Sequence, residues 1–550
     1  MNKPIYISFR ESFSKDIYMP MCGVVAAPTV ALEISSPDDV KKLTSDMPPQ
    51  NLLIHIDDDL SVLSENGQTV CSLYDMILLC ERCVPIICFE SKLAADRLAE
   101  FCDRNNICDA IICTSYNNAD ILKYAYEKMP LLRGMLDCRE EHPDIEELPS
   151  YCVSHEAVAV ILSSEDAIAE NIHSLSQRFI HVMCEDTFGF DSAACEGANG
   201  IITKSPDKGY AFLSLFPENS FLRRRNLFAH KGFQNNGKYS ENTISGVVAA
   251  AENYFDGAEI DVKLTSDNIP VVMHNTNTKG LFDCEVAVTE ESDYAFLSSL
   301  RRIDFENESI DKFEDLMFAM KPHKNTPVLI ELKPSAKYNK VEELVRLTDE
   351  ILRDEKAQKN CICIMGSLTP GLKYVHKHLP YLPISHCEGG KTIPQAPESR
   401  SEAEDRLYRV ALITEGCAAG YNCEDTCINR LFNEYAKFRM LTVFPWSRSW
   451  TLSPSKWEVN GPSNDQTYVS GYDAWTTDHG EKYLDMPIAI EPADTLDTDH
   501  PIAYLRFRDG HRELSACSLM KTGEHRALLS YTIDLHFGDS YTIYSKPFDI

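Results

Sequence analysis

Residues 228–274 read FAHKGFQNNGKYSENTISGVVAAAENYFDGAEIDVKLTSDNIPVVMH, and this stretch decides the fold. It opens with an apolar step that ends in His230, as a buried strand does where it enters a loop. Ser240 is the expected N-cap of an Ala-rich helix from Thr243 to Tyr254, and Gly257 is the expected end of that helix. A strand followed closely by a helix is the first unit of an alternating α/β fold.

A second short strand, Ala258 to Val262, carries Glu259 and Asp261. Residues two apart on a strand face the same side, so both carboxylates point the same way. A further apolar run, Pro270 to Met273, ends in His274. Two strand-end histidines and a carboxylate pair within one short stretch are hard to explain by packing and indicate a functional site.

Several motifs of this stretch stand in a fixed order: His230-Lys-Gly, Glu241-Asn-Thr, Gly257-Ala-Glu259-Ile-Asp261-Val, Thr265-Ser-Asp267 and Pro270-Val-Val-Met-His274. They are followed by Val328-Leu-Ile-Glu331-Leu-Lys333 and by Tyr472-Asp-Ala-Trp-Thr-Thr-Asp478. Together they resemble the glycerophosphodiester phosphodiesterases over residues 221–487. The resemblance implies a TIM-type (β/α)8 barrel, and eight strands fit into a segment of this length.

Three acidic residues at strand ends, Glu259, Asp261 and Glu331, form an oxygen-rich set of ligands for a hard divalent cation such as Mg²⁺ or Ca²⁺. Any one of them alone would more often be a solvated or salt-bridged acid. Their common position at the carboxyl end of one barrel, where active sites lie in this fold, favours a metal site.

His230 and His274 are the predicted general acid and base. A single histidine at a strand end is more often structural, but two of them bracket the Glu-x-Asp strand. The resemblance implies that one activates the nucleophile and the other protonates the departing alcohol. The nucleophile is either water or a neighbouring hydroxyl of the substrate.

The predicted substrate-binding residues are Lys231, Glu241, Lys333, Phe444 and Trp446. Lys333 would neutralise a phosphate oxygen, although a salt bridge to Glu331 is the simpler reading. Glu241 would orient a group of the site, and Phe444 or Trp446 would pack against the glycerol.

Two departures from the family pattern bear on specificity. Lys231 stands where the family usually has arginine, and lysine lacks the bidentate fork of a guanidinium. The family's His-Asp becomes His274-Asn275. We therefore expect an altered substrate preference rather than a loss of activity.

Residues 1–220 repeat the order of the second half. Val84-Pro-Ile-Ile-Cys-Phe-Glu90-Ser-Lys92 parallels Thr326-Pro-Val-Leu-Ile-Glu331-Leu-Lys333 with one residue of slip. This segment lacks the His-x-Gly and Glu-x-Asp motifs. We expect a degenerate, catalytically silent barrel-like copy, packed on the catalytic barrel at 221–487.

Residues 488–550 differ in character from both halves. Short alternating apolar and polar runs with a turn at Asp509-Gly510 predict a small antiparallel, sandwich-like β module. Its function is not legible from the sequence.

Composition limits the class of partner. The net charge of −31 over 550 residues argues against nucleic acid and against anionic membrane surfaces. No apolar run of about 18 residues occurs, so no transmembrane segment is expected. The 20 cysteines are scattered through apolar runs, which predicts reduced thiols and a cytoplasmic location, with a removed leader left open.

The leading hypothesis is metal-dependent hydrolysis of a small-molecule glycerophosphodiester to glycerol 3-phosphate and an alcohol. A phospholipase D-like or cyclising phosphodiesterase acting on a related lipid head group is one alternative. A non-catalytic binding or scaffold protein is another. The sequence leaves the head group, the choice of metal and the oligomeric state open.

Overall fold

The computed structural model describes residues 13, 15–284, 286–303, 305, 307–333, 340–353, 361–366, 369–388, 395–414, 419–447, 464–494 and 497–550. Within these ranges the chain forms two parallel barrels followed by a β module. The predicted fold class is confirmed.

The first barrel is a complete, closed ring of eight parallel strands. The described part of this barrel contains ten strands, the eight of the ring and two outside it, β3 and β4: β1 (Thr29–Glu33), β2 (Asn51–Ile56), β3 (Ser61–Leu63), β4 (Thr69–Ser72), β5 (Val84–Cys88), β6 (Ile111–Ser115), β7 (Arg133–Asp137), β8 (Ala157–Leu162), β9 (His181–Glu185) and β10 (Gly200–Ile202). β1 pairs in parallel with both β2 and β10, which closes the ring. β3 and β4 form an antiparallel excursion that follows β2.

Helices cover the outside of this ring. They are α1 (Leu73–Leu79), α2 (Lys92–Asn105), α3 (Ala119–Tyr126), α4 (Leu148–Ser154), α5 (Ala169–Ser176), α6 (Phe190–Glu196) and α7 (Pro206–Leu213). Their apolar faces pack on the strands in one continuous core cluster. The segment predicted to be a degenerate repeat therefore has, within its described residues, eight parallel ring strands and seven α-helices, with a 3₁₀ helix, Asp39–Thr44, in the connection between β1 and β2.

The second barrel follows a two-residue strand, β11 (Ser220–Phe221). Its strands are β12 (Asn226–Ala229), β13 (Gly257–Leu264), β14 (Pro270–Val272), β15 (Val328–Leu332), β16 (Cys361–Gly366), β17 (Ile384–Glu388), β18 (Gly420–Cys423), β19 (Thr442–Val443) and β20 (Ala474–Thr477). All are parallel except β14, which pairs antiparallel with β13. Backbone hydrogen bonds from Asp473 to Val443 and from Thr476 to Pro445, both 3.0 Å, join β20 to the β19 segment and close the barrel.

The helices of the second half are α8 (Ile244–Glu252), α9 (Tyr294–Ser299), α10 (Phe313–Met320), α11 (Val341–Leu352), α12 (Thr369–His378), α13 (Arg400–Thr414) and α14 (Arg430–Lys437). The N-cap of α8 is Thr243, whose side chain accepts a hydrogen bond from the amide of Gly246, and not Ser240 as predicted. Gly257 does not end α8 either. It begins β13, where a Cβ atom would lie 2.6 Å from the ring of Phe228.

The two barrels pack with the amino ends of their strands facing each other. Asn51, the first residue of β2, donates a hydrogen bond of 3.0 Å to the carbonyl of Phe438, which precedes β19. Arg439 forms a buried ion pair of 2.9 Å with Asp109, which precedes β6. One apolar cluster runs from the interior of the first barrel into the base of the second. The carboxyl ends of the strands, the two mouths, therefore open in opposite directions.

The predicted β module contains β21 (Ala489–Pro492), β22 (Ile502–Arg506), β23 (Arg512–Ala516), β24 (Ser518–Lys521), β25 (Arg526–Asp534), β26 (Ser540–Tyr544) and β27 (Phe548–Asp549). β21 to β23 form one antiparallel sheet. β24 to β27 form a second sheet, to which β11 adds in parallel, and β21 packs against β25 and β26. The module also reaches the base of the second barrel, where Arg508 pairs with the buried Asp256.

Two predictions about the chain's chemistry can be checked against the described residues. None of their helices is both long and apolar enough to cross a membrane. Their cysteines are free thiols, and most are buried.

Candidate active site

Three carboxylates meet at the mouth of the second barrel. Glu259 and Asp261 project from β13, and the parallel ladder places Asp261 directly opposite Glu331 on β15. Each residue offers an oxygen, and these oxygens lie within 4.8 Å of one another. The three acids singled out in the sequence are therefore brought together.

The backbone and one amide hold two of these acids in place. Asn242 donates a hydrogen bond of 2.9 Å to Asp261 Oδ2 and accepts one of 2.9 Å from the Asp261 amide. The Lys231 amide donates a hydrogen bond of 2.9 Å to Glu259 Oε2. The sequence drew attention to Glu241-Asn242-Thr243 but assigned the role to the acid, whereas Asn242 is the residue that contacts the cluster.

Glu259 is the least compensated acid of the cluster, because Lys333 pairs with Asp261 and Glu331, whereas His230 Nε2 lies 3.9 Å from Glu259 Oε2. Glu259 is 2% exposed, and its Oε1 atom accepts no hydrogen bond within the described part of the chain. Burial and the neighbouring charge of Asp261 raise the pKa of Glu259 to about 8. Buried carboxylates that repel one another need a cation, and an all-oxygen donor set suits a hard divalent ion. The residues present therefore fit Mg²⁺ or Ca²⁺.

His230 lies directly after β12 and is oriented by an acid that follows the adjacent strand, β20. Its Nδ1 atom is 2.8 Å from Asp478 Oδ1, and Gln234 Nε2 also donates to that oxygen at 3.3 Å. Burial acts to lower the pKa of His230, but Asp478 and Glu259 outweigh it and raise the pKa to about 9. Asp478 ends the last sequence motif, although the sequence alone assigned it no role.

His274 follows β14 on the other side of the cluster. The Met273 amide donates a hydrogen bond of 2.9 Å to the Asp261 carbonyl, which ties His274 to the carboxylate strand. Burial lowers the pKa of His274. The two histidines are therefore shifted in opposite directions, as an acid and base pair requires.

The predicted lysines lie on either side of the carboxylates. Lys333 Nζ is 2.6 Å from Glu331 Oε1 and 3.2 Å from Asp261 Oδ1, so the expected salt bridge to Glu331 is present. Lys231 Nζ lies 3.5 Å from Glu241 Oε2. Both ammonium groups are held at the mouth by carboxylates.

Only one of the two aromatic candidates lies at the mouth. The Trp446 ring is nearly parallel to the His230 ring, with centroids 6.5 Å apart and planes 19° apart. Phe444 is fully buried at the base of the barrel, where its ring stacks on Phe179 of the first barrel at 4.3 Å. The assignment of Phe444 to substrate binding is therefore corrected, because successive inward-facing residues of a strand lie at different depths.

The mouth of the first barrel holds a different arrangement. The Arg139 guanidinium lies 3.0 Å from Glu33, 2.7 Å from Asp137 and 2.6 Å from Glu185. These acids end three strands, β1, β7 and β9. His55 Nε2 lies 2.8 Å from Glu33. The first mouth thus gathers its carboxylates around a cation that belongs to the chain.

Comparison with known proteins extends the sequence resemblance. Residues 230–447 match the model of the glycerophosphoryl diester phosphodiesterase family. A glycerophosphodiester phosphodiesterase from Bacillus altitudinis is 28% identical over 170 residues, which are 29% of this chain and 64% of that relative. The match therefore spans less than two thirds of the relative's length.

Two solved structures are also similar. A phosphodiesterase from Oleispira antarctica in complex with sn-glycerol-3-phosphate is 18% identical, with 47% of this chain and 95% of that chain covered and a TM-score of 0.38. A glycerophosphodiester phosphodiesterase from Parabacteroides distasonis is 20% identical, with 47% and 94% covered and a TM-score of 0.35. The resemblance that the motifs predicted is confirmed by the family match.

Proposed function

Because residues 230–447 belong to the glycerophosphoryl diester phosphodiesterase family, we propose that the second barrel hydrolyses glycerophosphodiesters to glycerol 3-phosphate and an alcohol. The observation that carries the proposal is the cluster Glu259, Asp261 and Glu331, flanked by His230 and His274 at one barrel mouth.

Glu259, Asp261 and Glu331 would hold the divalent cation. When bound, Mg²⁺ or Ca²⁺ supplies positive charge that stabilises the negative charge developing on the phosphate. The unpaired Oε1 atom of Glu259 supports this assignment, since a buried carboxylate oxygen without a partner is costly. Lys333 limits the repulsion among the three acids through its ion pairs with Asp261 and Glu331, and it would bind a phosphate oxygen of the substrate.

The two histidines would move the protons of the reaction. One imidazole accepts a proton from the attacking water as the new P–O bond forms. The other donates a proton to the alcohol oxygen as the old P–O bond breaks. Asp478 orients His230 through its hydrogen bond to Nδ1, and Trp446 offers an aromatic face beside that histidine for the glycerol.

The test uses the full chain with a panel of glycerophosphodiesters, in EDTA and after addition of Mg²⁺ or Ca²⁺. We expect release of glycerol 3-phosphate only with the cation. No release from any member of the panel would contradict the proposal. A cyclic phosphate product, detected by ³¹P NMR, would favour a cyclising reaction instead.

We also infer that the first barrel, within residues 1–220, is catalytically silent, that 221–487 forms the catalytic unit and that 488–550 is a separate module. The guanidinium of Arg139 supports this division, because it forms ion pairs with Glu33, Asp137 and Glu185, which end three strands of the first barrel.

A further inference from the structure

Lys263 is a third lysine at the mouth of the second barrel. It follows Glu259 and Asp261 at two-residue steps on β13, so all three side chains share one face of the strand. Lys333 lies beside it on the neighbouring strand, where the Lys333 amide donates a hydrogen bond of 3.0 Å to the Val262 carbonyl. The two lysines therefore stand at the same level of the barrel wall.

Their surroundings differ sharply. Lys333 Nζ contacts both Glu331 and Asp261. Lys263 is only 4% exposed, yet no carboxylate of the described residues lies within 4.0 Å of its ammonium group. A buried ammonium without a counterion is unfavourable, and the adjacent Lys333 adds repulsion.

The position of Lys263 indicates which part of a substrate it meets. Two residues of strand separate it from Asp261, roughly 7 Å along the strand and toward the outside of the barrel. Across the hairpin it stands opposite Val271, which belongs to the small apolar cluster that also contains Met273 and Phe282. Lys263 thus lies between the carboxylate cluster and this apolar wall.

Resting on the proposed function, we propose that Lys263 binds a carboxylate on the alcohol half of the substrate and makes the enzyme prefer glycerophosphodiesters with an acidic head group. The phosphate already has the cation and Lys333 for its charge. Lys263 is the cation of this wall left without a counterion, and a carboxylate entering the mouth would complete a charge-assisted hydrogen bond.

The experiment compares two substrates that differ only in that carboxylate, glycerophosphoserine and glycerophosphoethanolamine. The wild-type chain, Lys263→Met and Lys263→Arg are assayed for kcat/KM on both. We expect Lys263→Met to lower kcat/KM for glycerophosphoserine by roughly 10-fold to 100-fold, which is the range for the loss of one hydrogen bond to a charged group. For glycerophosphoethanolamine the kcat/KM of Lys263→Met should change less than about threefold. Lys263→Arg should keep most of the preference for glycerophosphoserine, because arginine keeps the positive charge.

Each outcome decides the question. An equal loss on both substrates would overturn the proposal, since Lys263 would then act on the shared phosphate or on the fold. No loss on either would overturn it as well. Turnover of glycerophosphoethanolamine by the wild-type chain tests the proposed function separately, so a failure there is distinguishable from a failure of the role of Lys263.

Discussion

The two barrel mouths of this protein solve the same electrostatic problem in different ways. Both barrels have eight parallel strands and an antiparallel excursion after the second strand, β3 in one and β14 in the other. Both also gather carboxylates at the carboxyl ends of their strands. In the first mouth Arg139 contacts Glu33, Asp137 and Glu185, whereas in the second Glu259 Oε1 has no hydrogen-bond partner among the residues that the structure describes.

The two mouths differ in the cation that contacts their acids, and this difference distinguishes a structural charge cluster from a candidate binding site. A guanidinium offers five donors in a planar fork and matches several carboxylates at once. In the first mouth each of these three acids therefore has a cationic partner within the chain. In the second mouth burial and the charge of Asp261 instead raise the pKa of Glu259, so the ligand-free chain keeps a proton on this acid at neutral pH.

Removal of one acid from each mouth tests most directly whether catalysis depends on the second mouth alone. We expect Glu259→Gln to lower kcat/KM by at least about 10³-fold, because the cation and the charge stabilisation it supplies are lost together. Glu33→Gln, the matched change in the first mouth, should leave kcat/KM unaltered. Release of glycerol 3-phosphate measures both, and Mn²⁺ binding by equilibrium dialysis measures the site directly. A comparable loss in Glu33→Gln would place function in the first mouth too.

Histidines at the two mouths give the next largest contrast. His230→Ala and His274→Ala should each lower kcat by about 10²-fold to 10⁴-fold, the contribution of a well-placed acid or base. His55→Ala, which removes the histidine beside Glu33, should not change kcat. Melting temperatures serve as the control for folding. Near-normal turnover in either variant of the second mouth would exclude that histidine from proton transfer.

Arg139 tests whether the first mouth is held by its internal cation. Arg139→Met leaves three acids around an uncharged side chain and should lower the free energy of unfolding by about 3 kcal/mol, the lower end for a broken buried pair. Turnover at the opposite mouth should persist. Arg97→Met, which removes an exposed ion pair with Asp59, should lower the free energy of unfolding by less than about 1 kcal/mol. Equal effects in thermal unfolding would show that the Arg139 cluster is not structural.

The smallest expected effect is a pH dependence confined to the second mouth. In EDTA the folded chain retains a proton on Glu259 up to about pH 8, whereas the unfolded chain releases it near its ordinary pKa. Stability therefore falls as pH rises through this window. The free energy of unfolding of Glu259→Gln should therefore rise relative to that of the wild type by up to about 1.4 kcal/mol per pH unit between pH 6 and 8.

Added Mg²⁺ or Ca²⁺ should cancel that gain, because a bound cation favours the ionised carboxylate of the wild-type chain. Parallel stability curves for the two proteins in EDTA would contradict the raised pKa of Glu259.

The secondary structure of the decisive stretch was largely predictable, with errors at its boundaries. The alternation of Glu259 and Asp261 on one strand follows from the two-residue repeat of β-structure. The predicted N-cap of α8 was Ser240, whereas the structure has Thr243. Several residues near the start of a helix have side chains that can accept a hydrogen bond from a first-turn amide, so the sequence does not single out one of them. The depth of Trp446 and Phe444 differed by one inward-facing position, which a short apolar run does not specify.

From the sequence alone, two barrels in tandem, the β module and the acids and histidines of the second mouth could be predicted, because they follow from local periodicity, from the internal repeat and from the resemblance of the motifs to a known family. Only the tertiary structure decided that Asp478 orients His230 across 248 residues, that Arg139 fills the first mouth from 106 residues beyond Glu33, and that the barrels meet at their bases. Such contacts depend on how whole strands close into rings and how the rings pack, and no local pattern records the distance between residues so far apart in the chain.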